Sequence, residues 1–319
     1  MDLLLFFVGF IFLLAGAHFL IEGSQSIGKQ LKIPGIVIGL TIVSLGTSLP
    51  ELSVSVLASI KGQSELAVSN ILGSNTANIL LVLGVGAIIS PLTFRRATIN
   101  KEIPFSLLAV IVLGFMAIQA FNKHGNSEIN RVEGIILLIF FIIFLIYSFI
   151  LSKKQSEDHD TQDNVRKVSI SIAFIILGIG GLYIGGKWIV KGADLLAEMF
   201  GLSTSTIGIK IVAVATSLPE IVASSYAAFK KHSDIAIGNV IGSNIFNIFL
   251  VLGLSATIYP IPGYDGMSVD VCMVIFATLL LFVFIFRGKG WQLTLFEGVF
   301  FLITYMLFVV FREKILFWL

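Results

Sequence analysis

An apolar stretch running from about Ile36 to Ile60 is interrupted by Gly46-Thr47-Ser48-Leu49-Pro50-Glu51, and the interruption occurs again as Ala215-Thr216-Ser217-Leu218-Pro219-Glu220. An ionised carboxylate at mid-membrane depth costs about 3 kcal/mol even on insertion scales. A chain that accepts this cost twice, in one sequence frame, has a use for the charge. A cation transporter is the expectation.

On a helix, residues three and four apart share a face, so Thr47 and Ser48 are expected one turn before Glu51, pointing into the same space. Pro50 has no N–H, and its ring crowds the preceding turn, which frees the carbonyl of Gly46 and loosens that of Thr47. Backbone opened in this way is tolerated in a bilayer only where it is buried in protein or lines a hydrated cavity. The plainer alternative is a proline kink with each Glu paired to a distant Lys. Duplication argues against it.

The rest of the chain agrees with a bilayer setting. Of 319 residues 56% are hydrophobic and 13% charged, far from soluble composition. The net charge of +2 gives no argument for nucleic acid, and Cys272 is alone in an apolar run, so no thiolate cluster or disulfide framework is expected. Leu3–Leu14 followed by Ala15-Gly16-Ala17 has the outline of a signal peptide but carries Asp2 where a basic segment belongs, and it reads as a retained span. Apolar segments long enough to cross run approximately over 3–21, 34–60, 66–90, 103–121, 131–151, 168–190, 204–229, 235–259, 268–286 and 293–311. The expected fold is all-α and polytopic, with about ten transmembrane helices.

Those helices come as two copies of one unit. Gly39–Ser44 aligns with Gly208–Ala213, and Gly73-Ser74-Asn75-Thr76-Ala77-Asn78-Ile79 with Gly242-Ser243-Asn244-Ile245-Phe246-Asn247-Ile248. The offset is 169 throughout, as from Glu51 to Glu220 and from Asn78 to Asn247. An odd number of spans per unit forces the copies into opposite orientations. The expected division is a first five-helix repeat over 1–151, a solvated linker over 152–167 and a second, inverted repeat over 168–319. Within the linker Asp158, His159 and Asp160 form a weaker metal-binding candidate.

Ser74 and Asn78 lie four apart after a glycine and share a face, as do Ser243 and Asn247. Small residues in Gly-Ser-Asn often serve packing alone. Beside duplicated Glu residues they become candidates for the site. Basic residues concentrate in the loops after the first, third, fifth, seventh and ninth segments, which places both termini outside an integral cell-membrane protein.

Gly46–Glu51 with Gly73–Asn78, and Thr216–Glu220 with Gly242–Asn247, resemble the two alpha repeats of the sodium/calcium exchanger family, and the similarity covers nearly the whole chain. The resemblance implies antiport by alternating access, with the first and sixth helices sliding across a core. Calcium and sodium are the implied partners, together with the lipid bilayer; no cofactor and no obligate protein partner are implied. By position, Glu51 and Glu220 are the implied calcium carboxylates, completed by backbone oxygens of Thr47 and Thr216. Implied sodium ligands are the carbonyls of Ser44 and Ala213 and the hydroxyls of Ser48, Ser74, Thr216, Ser217 and Ser243. Asn78 matches the family's central amide.

Three positions depart from the family's pattern. Asn247 stands where many members have Asp, so the centre carries two carboxylates rather than three; this sets the family ratio of three sodium per calcium in question and argues against potassium cotransport. Lys210 replaces the hydroxyl residue found at Thr41 and reads as a side chain snorkelling to the outer interface. Ala215 replaces the glycine at Gly46 and adds a methyl group where helices cross. His18 has no evident partner and stays outside the site. A proton/calcium antiporter using the two Glu residues as proton carriers is the alternative, a channel or cation sensor a further one. No nucleophile elbow, phosphate loop or metalloenzyme spacing points to an enzyme.

Overall fold

A computed structural model describes residues 2–122, 128–154, 166–199, 216–264, 266–287 and 290–318. Among these, eight helices are long and apolar enough to cross a membrane: α1 (Asp2–Leu31), α4 (Glu65–Ile89), α5 (Glu102–Asn122), α6 (Arg131–Lys154), α7 (Val168–Met199), α9 (Ser233–Ile258), α10 (Met267–Arg287) and α11 (Leu295–Trp318). Together α2 (Gly35–Thr47) and α3 (Leu49–Ile60), bent by 49° at their junction, are long and apolar enough for one further crossing. Of the expected seventh span, the described part is Thr216 onward, with α8 at Leu218–Phe229. The chain is an all-α polytopic membrane protein.

Two helices outrun their apolar stretches. The first continues to Leu31, a run of 30 residues and about 45 Å, because no proline intervenes before Pro34. Likewise α7 runs to Met199, so Asp194 and Glu198 belong to a continuing helix. The linker is correspondingly shorter, since α6 reaches Lys154; Asp158, His159 and Asp160 lie outside the described residues.

The two long helices, α1 and α7, pack along a seam of glycines. A Cβ on Gly178 would stand 2.4 Å from the Leu20 nitrogen, and one on Gly16 would stand 2.6 Å from that of Leu182. Such close approach replaces side-chain interdigitation with backbone contact. Aromatic pairs flank the seam, Phe12 with Trp188 and Phe19 with Phe174.

Inside the protein, α2 and α9 cross equally closely. A Cβ on Gly39 would lie 2.7 Å from the Ile235 carbonyl, and one on Gly242 would lie 2.6 Å from Ser44 Oγ. Gly242 thus serves a close crossing. Each of α2, α4 and α9 contains a π-helical stretch, Gly39–Val43, Asn78–Val82 and Phe246–Leu252 respectively, next to the polar residues of the repeats. Wide turns of this kind interrupt the regular hydrogen-bond ladder, and they recur at functional sites.

Four short strands tie the halves together. β1 (Leu92–Thr93) pairs antiparallel with β4 (Gln292–Leu293), and β2 (Glu128–Ile129) with β3 (Ile261–Pro262). β1 and β3 are separated by the repeat offset, and β2 and β4 lie just ahead of α6 and α11. Each copy therefore lends a strand to the other, as expected of two units related by a two-fold axis.

Candidate ion-binding site

The Leu-Pro-Glu motif starts a helix rather than kinking one. Ser48 has φ −83° and ψ 6°, Ser217 has φ −81° and ψ 1°, and each following proline occupies the first turn of a new helix. Proline is well placed there, because first-turn N–H groups have no intrahelical acceptor. The sequence reading put Thr47, Ser48 and Glu51 on one face of a single bent helix; the break at Ser48 replaces that face with a corner. It also puts Glu51 and Glu220 in the first turns of α3 and α8, where the partial positive charge of the helix N-terminus favours a carboxylate.

Both carboxylates are fully buried and are close enough to repel one another. Ser74 Oγ donates to Glu51 Oε1 at 3.5 Å, and Ser243 Oγ, its repeat counterpart, donates to Glu220 Oε1 at 3.4 Å. Ser48 Oγ crosses between the halves to Glu220 Oε1 at 3.1 Å. Thr47 Oγ1 donates to Asn239 Oδ1 at 3.0 Å and lies 3.5 Å from Ser243 Oγ. Thr216 Oγ1 repeats this arrangement, donating to Asn70 Oδ1 at 3.2 Å and lying 3.4 Å from Ser74 Oγ. The Ser44 carbonyl accepts the Ser48 N–H at 2.9 Å.

Several buried atoms in this cluster have no hydrogen-bond partner: Glu51 Oε2, Glu220 Oε2, Asn78 Oδ1, Asn247 Oδ1 and Ser217 Oγ. All five are oxygens. A buried oxygen without a donor costs about 1–3 kcal/mol, more if charged, and five at one place are a lining for something positively charged. Among the described residues no lysine or arginine bonds either carboxylate, which disposes of the distant-Lys alternative for those residues. Ala213, Lys210 and Ala215 lie outside the described residues.

Sequence reasoning missed four asparagines. Asn70 and Asn239 accept from the two threonines and donate onward to Ser55 at 3.3 Å and Ser224 at 2.8 Å. Asn75 and Asn244 bond across the repeat interface, each donating Nδ2 to the other's backbone carbonyl, at 3.4 and 3.3 Å. The repeat held the signal, since both pairs obey the same offset as the glutamates. His18 also has a partner: its Nδ1 lies 2.6 Å from the Tyr226 hydroxyl on α8.

Comparison with known proteins gives a consistent answer. The sequence profile of the sodium/calcium exchanger protein family matches residues 1–150 and 170–313. Sodium/calcium exchanger MaX1 of Methanosarcina acetivorans is 31% identical over 97% of each chain, and the putative antiporter CaxA of Alkalimonas amylolytica is 34% identical over 94% of each. A structure of the sodium-calcium exchanger NCX_Mj, soaked with Na+ and Ca2+, superposes with a TM-score of 0.82 at 32% identity, covering 97% of both chains. With a family profile along almost its whole length and a matching fold, this chain belongs to the sodium/calcium exchanger family.

Proposed function

We propose that the protein is a secondary antiporter that exchanges sodium for calcium by alternating access, with Glu51 and Glu220 as the calcium carboxylates. The observation that carries the proposal is the set of buried, unpartnered oxygens around the two carboxylates. Calcium takes six to eight oxygens, and two bidentate carboxylates with the backbone carbonyls of Thr47 and Thr216 supply about six. Sodium competes for the same carboxylates from flanking positions offered by the hydroxyls of Ser48, Ser74, Thr216, Ser217 and Ser243 and the carbonyls of Ser44 and Ala213, with the Asn78 and Asn247 amides at the centre.

Sodium coupling is favoured over proton coupling by the residues beside the carboxylates. Asn78 and Asn247 are amides and hold no exchangeable charge. The experiment is uptake of radiolabelled calcium into proteoliposomes driven by an outward sodium gradient at equal pH, for the wild type, Glu51→Gln and Glu220→Gln. Sodium-driven uptake that each substitution lowers by at least about a hundredfold supports the proposal. Uptake driven by a pH gradient without sodium reassigns the chain to proton/calcium exchange.

The chain divides, in this reading, into repeats at 1–151 and 168–319 joined by the 152–167 segment, with both termini outside the cell membrane. Lys29 from the last turn of α1, Arg95 from the segment after β1, and Lys231 and His232 from the loop after α8 line one cavity of about 440 Å³. Basic residues gathered at one end mark the cytoplasmic side. Labelling of single cysteines placed at Lys61 and Lys231 by an impermeant reagent, from outside only at Lys61, tests the orientation.

A further inference from the structure

The four asparagines of the two Gly-Ser-Asn motifs form a closed bracket between α4 and α9. Asn75 Nδ2 donates to the Asn244 carbonyl, and Asn244 Nδ2 to the Asn75 carbonyl. Asn247 Nδ2 donates to Asn75 Oδ1 at 3.0 Å, and Asn78 Nδ2 to Asn244 Oδ1 at 3.0 Å. All four residues are at most 1% exposed.

The orientation of every amide follows from one fact: a backbone carbonyl only accepts. The end of Asn75 that faces the Asn244 carbonyl must therefore be its NH2 group. Its Oδ1 then faces Asn247, and Asn247 must answer with NH2. That leaves Asn247 Oδ1 turned to the other side, where it has no partner. The same chain of constraints, begun at Asn244, turns Asn78 Oδ1 outward, and that oxygen too has no partner. Flipping any one amide sets NH2 against NH2 or oxygen against oxygen elsewhere in the bracket. Ser74 and Ser243, which bond the carboxylates, lie one turn before Asn78 and Asn247 on the same helices.

We infer that Asn75 and Asn244 are positioning residues: they touch no ion themselves and act by holding the Asn247 and Asn78 amides with oxygen, not nitrogen, toward the transported cation. The inference rests on the proposed ligand role of Asn78 and Asn247. The bracket is also shared by both halves, because each orienting asparagine serves the ligand of the other repeat. Reading of the central amides thus depends on the two halves being docked together.

The test is sodium-dependent release of radiolabelled calcium from proteoliposomes containing the full chain. Asn75→Ala and Asn244→Ala are expected to raise the half-maximal sodium concentration about tenfold or more, as loss of an orienting partner typically does, while maximal turnover is retained. Asn247→Ala and Asn78→Ala remove the oxygen itself and are expected to do at least as much. The deciding measurement is non-additivity: Asn75→Ala/Asn247→Ala should be no weaker than Asn247→Ala alone, since Asn75 has then no amide left to orient. Losses that add, or single substitutions at 75 and 244 that leave the sodium dependence unchanged while those at 78 and 247 weaken it, overturn the inference. Unchanged sodium dependence in Asn78→Ala and Asn247→Ala removes the ligand role and the inference with it. Asn75→Ser and Asn244→Ser, too short to span the bracket but still polar, take the place of any alanine variant that does not fold.

Discussion

Ser48 Oγ of the first repeat donates to Glu220 Oε1 of the second at 3.1 Å, yet its counterpart Ser217 has no partner for its buried hydroxyl. Most of the site obeys the two-fold relation, so this pair marks where the relation fails. Glu220 is held by a donor from each half. Glu51 receives Ser74 from its own half and has Thr216 of the other half within reach, so the asymmetry lies in the two serines alone.

The two serines should consequently respond differently to one substitution. Ser48→Ala deletes a hydrogen bond to a buried carboxylate, worth about 1.5–3 kcal/mol, and should lower the melting temperature in detergent measurably. Ser217→Ala deletes no hydrogen bond and removes a buried hydroxyl without a partner, so it should leave stability unchanged or raise it by up to about 1–3 kcal/mol. Both should raise the sodium concentration needed for half-maximal exchange, because both remove a proposed sodium ligand. Equal losses of stability would contradict the asymmetry.

Much of this site was legible because duplication made it so. A lone Pro-Glu pair is compatible with a kink and a salt bridge, whereas two at one offset single out Glu51, Glu220, the flanking hydroxyls and Asn78 with Asn247. What pattern reading could not supply was the direction of each side chain across the repeat interface. Ser48 reads as a neighbour of Glu51 three residues on, and the helix break at Ser48 instead sends its hydroxyl to Glu220. Asn75 reads as a packing residue between two site residues; only the facing helix reveals that its amide is a donor to another backbone. His18 and Tyr226 are 208 positions apart, too far for any local periodicity to couple.

The glycine seam between α1 and α7 gives a sharp contrast between neighbours. A Cβ on Gly178 would meet the Leu20 backbone at 2.4 Å, whereas one on Gly180 meets nothing within 4 Å. Gly178→Ala must push two helices apart and should cost about 1–3 kcal/mol, the usual price of overpacking. Gly180→Ala should be neutral or slightly stabilising, since alanine is the better helix former. Thermal unfolding of both variants checks this. Exchange rates provide a second readout, because this seam joins the first and sixth helices into the pair implied to slide across the core: Gly178→Ala, which spreads the pair, should slow turnover and Gly180→Ala should not.

At the basic end, Gln25 Nε2 lies 3.3 Å from His232 Nδ1, joining α1 to the residue just ahead of α9. Burial lowers the His232 pKa below its usual value, and the positive charges of Lys29 and Lys230 act in the same direction against the opposing pull of Glu22. Arg95, Lys231 and Asp234 also line the cavity there. The sign follows from linkage: the unfolded chain takes up the proton first, so the stability carried by neutral His232 is full above about pH 6.5 and is lost as pH falls through the folded-state value. His232→Gln, which remains neutral, should flatten the decline in melting temperature between about pH 7 and pH 5. An unchanged slope would assign the acid sensitivity to other groups.

In the proposed sodium/calcium antiporter the coupling ratio turns on Asn247. Two carboxylates at the centre balance one calcium or two sodium ions, and a third sodium leaves an uncompensated positive charge in a buried site, which is costly. A tenfold sodium gradient is worth about 1.4 kcal/mol per ion and 100 mV about 2.3 kcal/mol per net charge. Three sodium ions per calcium would then deliver about 6.5 kcal/mol, against about 2.8 kcal/mol for two with no contribution from voltage. The difference amounts to several hundredfold in the calcium gradient that can be sustained. Calcium flux in proteoliposomes with potassium-clamped membrane potentials should accordingly reverse at a point independent of voltage for the wild type. Asn247→Asp restores a third negative charge, so its reversal point should move with voltage. That substitution also removes the NH2 group that Asn247 offers to Asn75 Oδ1, and the Asn75 amide must turn to present its own NH2 to the new carboxylate. Asn75→Ala/Asn247→Asp removes this added constraint and should keep the voltage dependence, which separates the effect of charge from that of geometry. A wild-type reversal point that already follows a three-to-one ratio would show that two carboxylates suffice for electrogenic exchange.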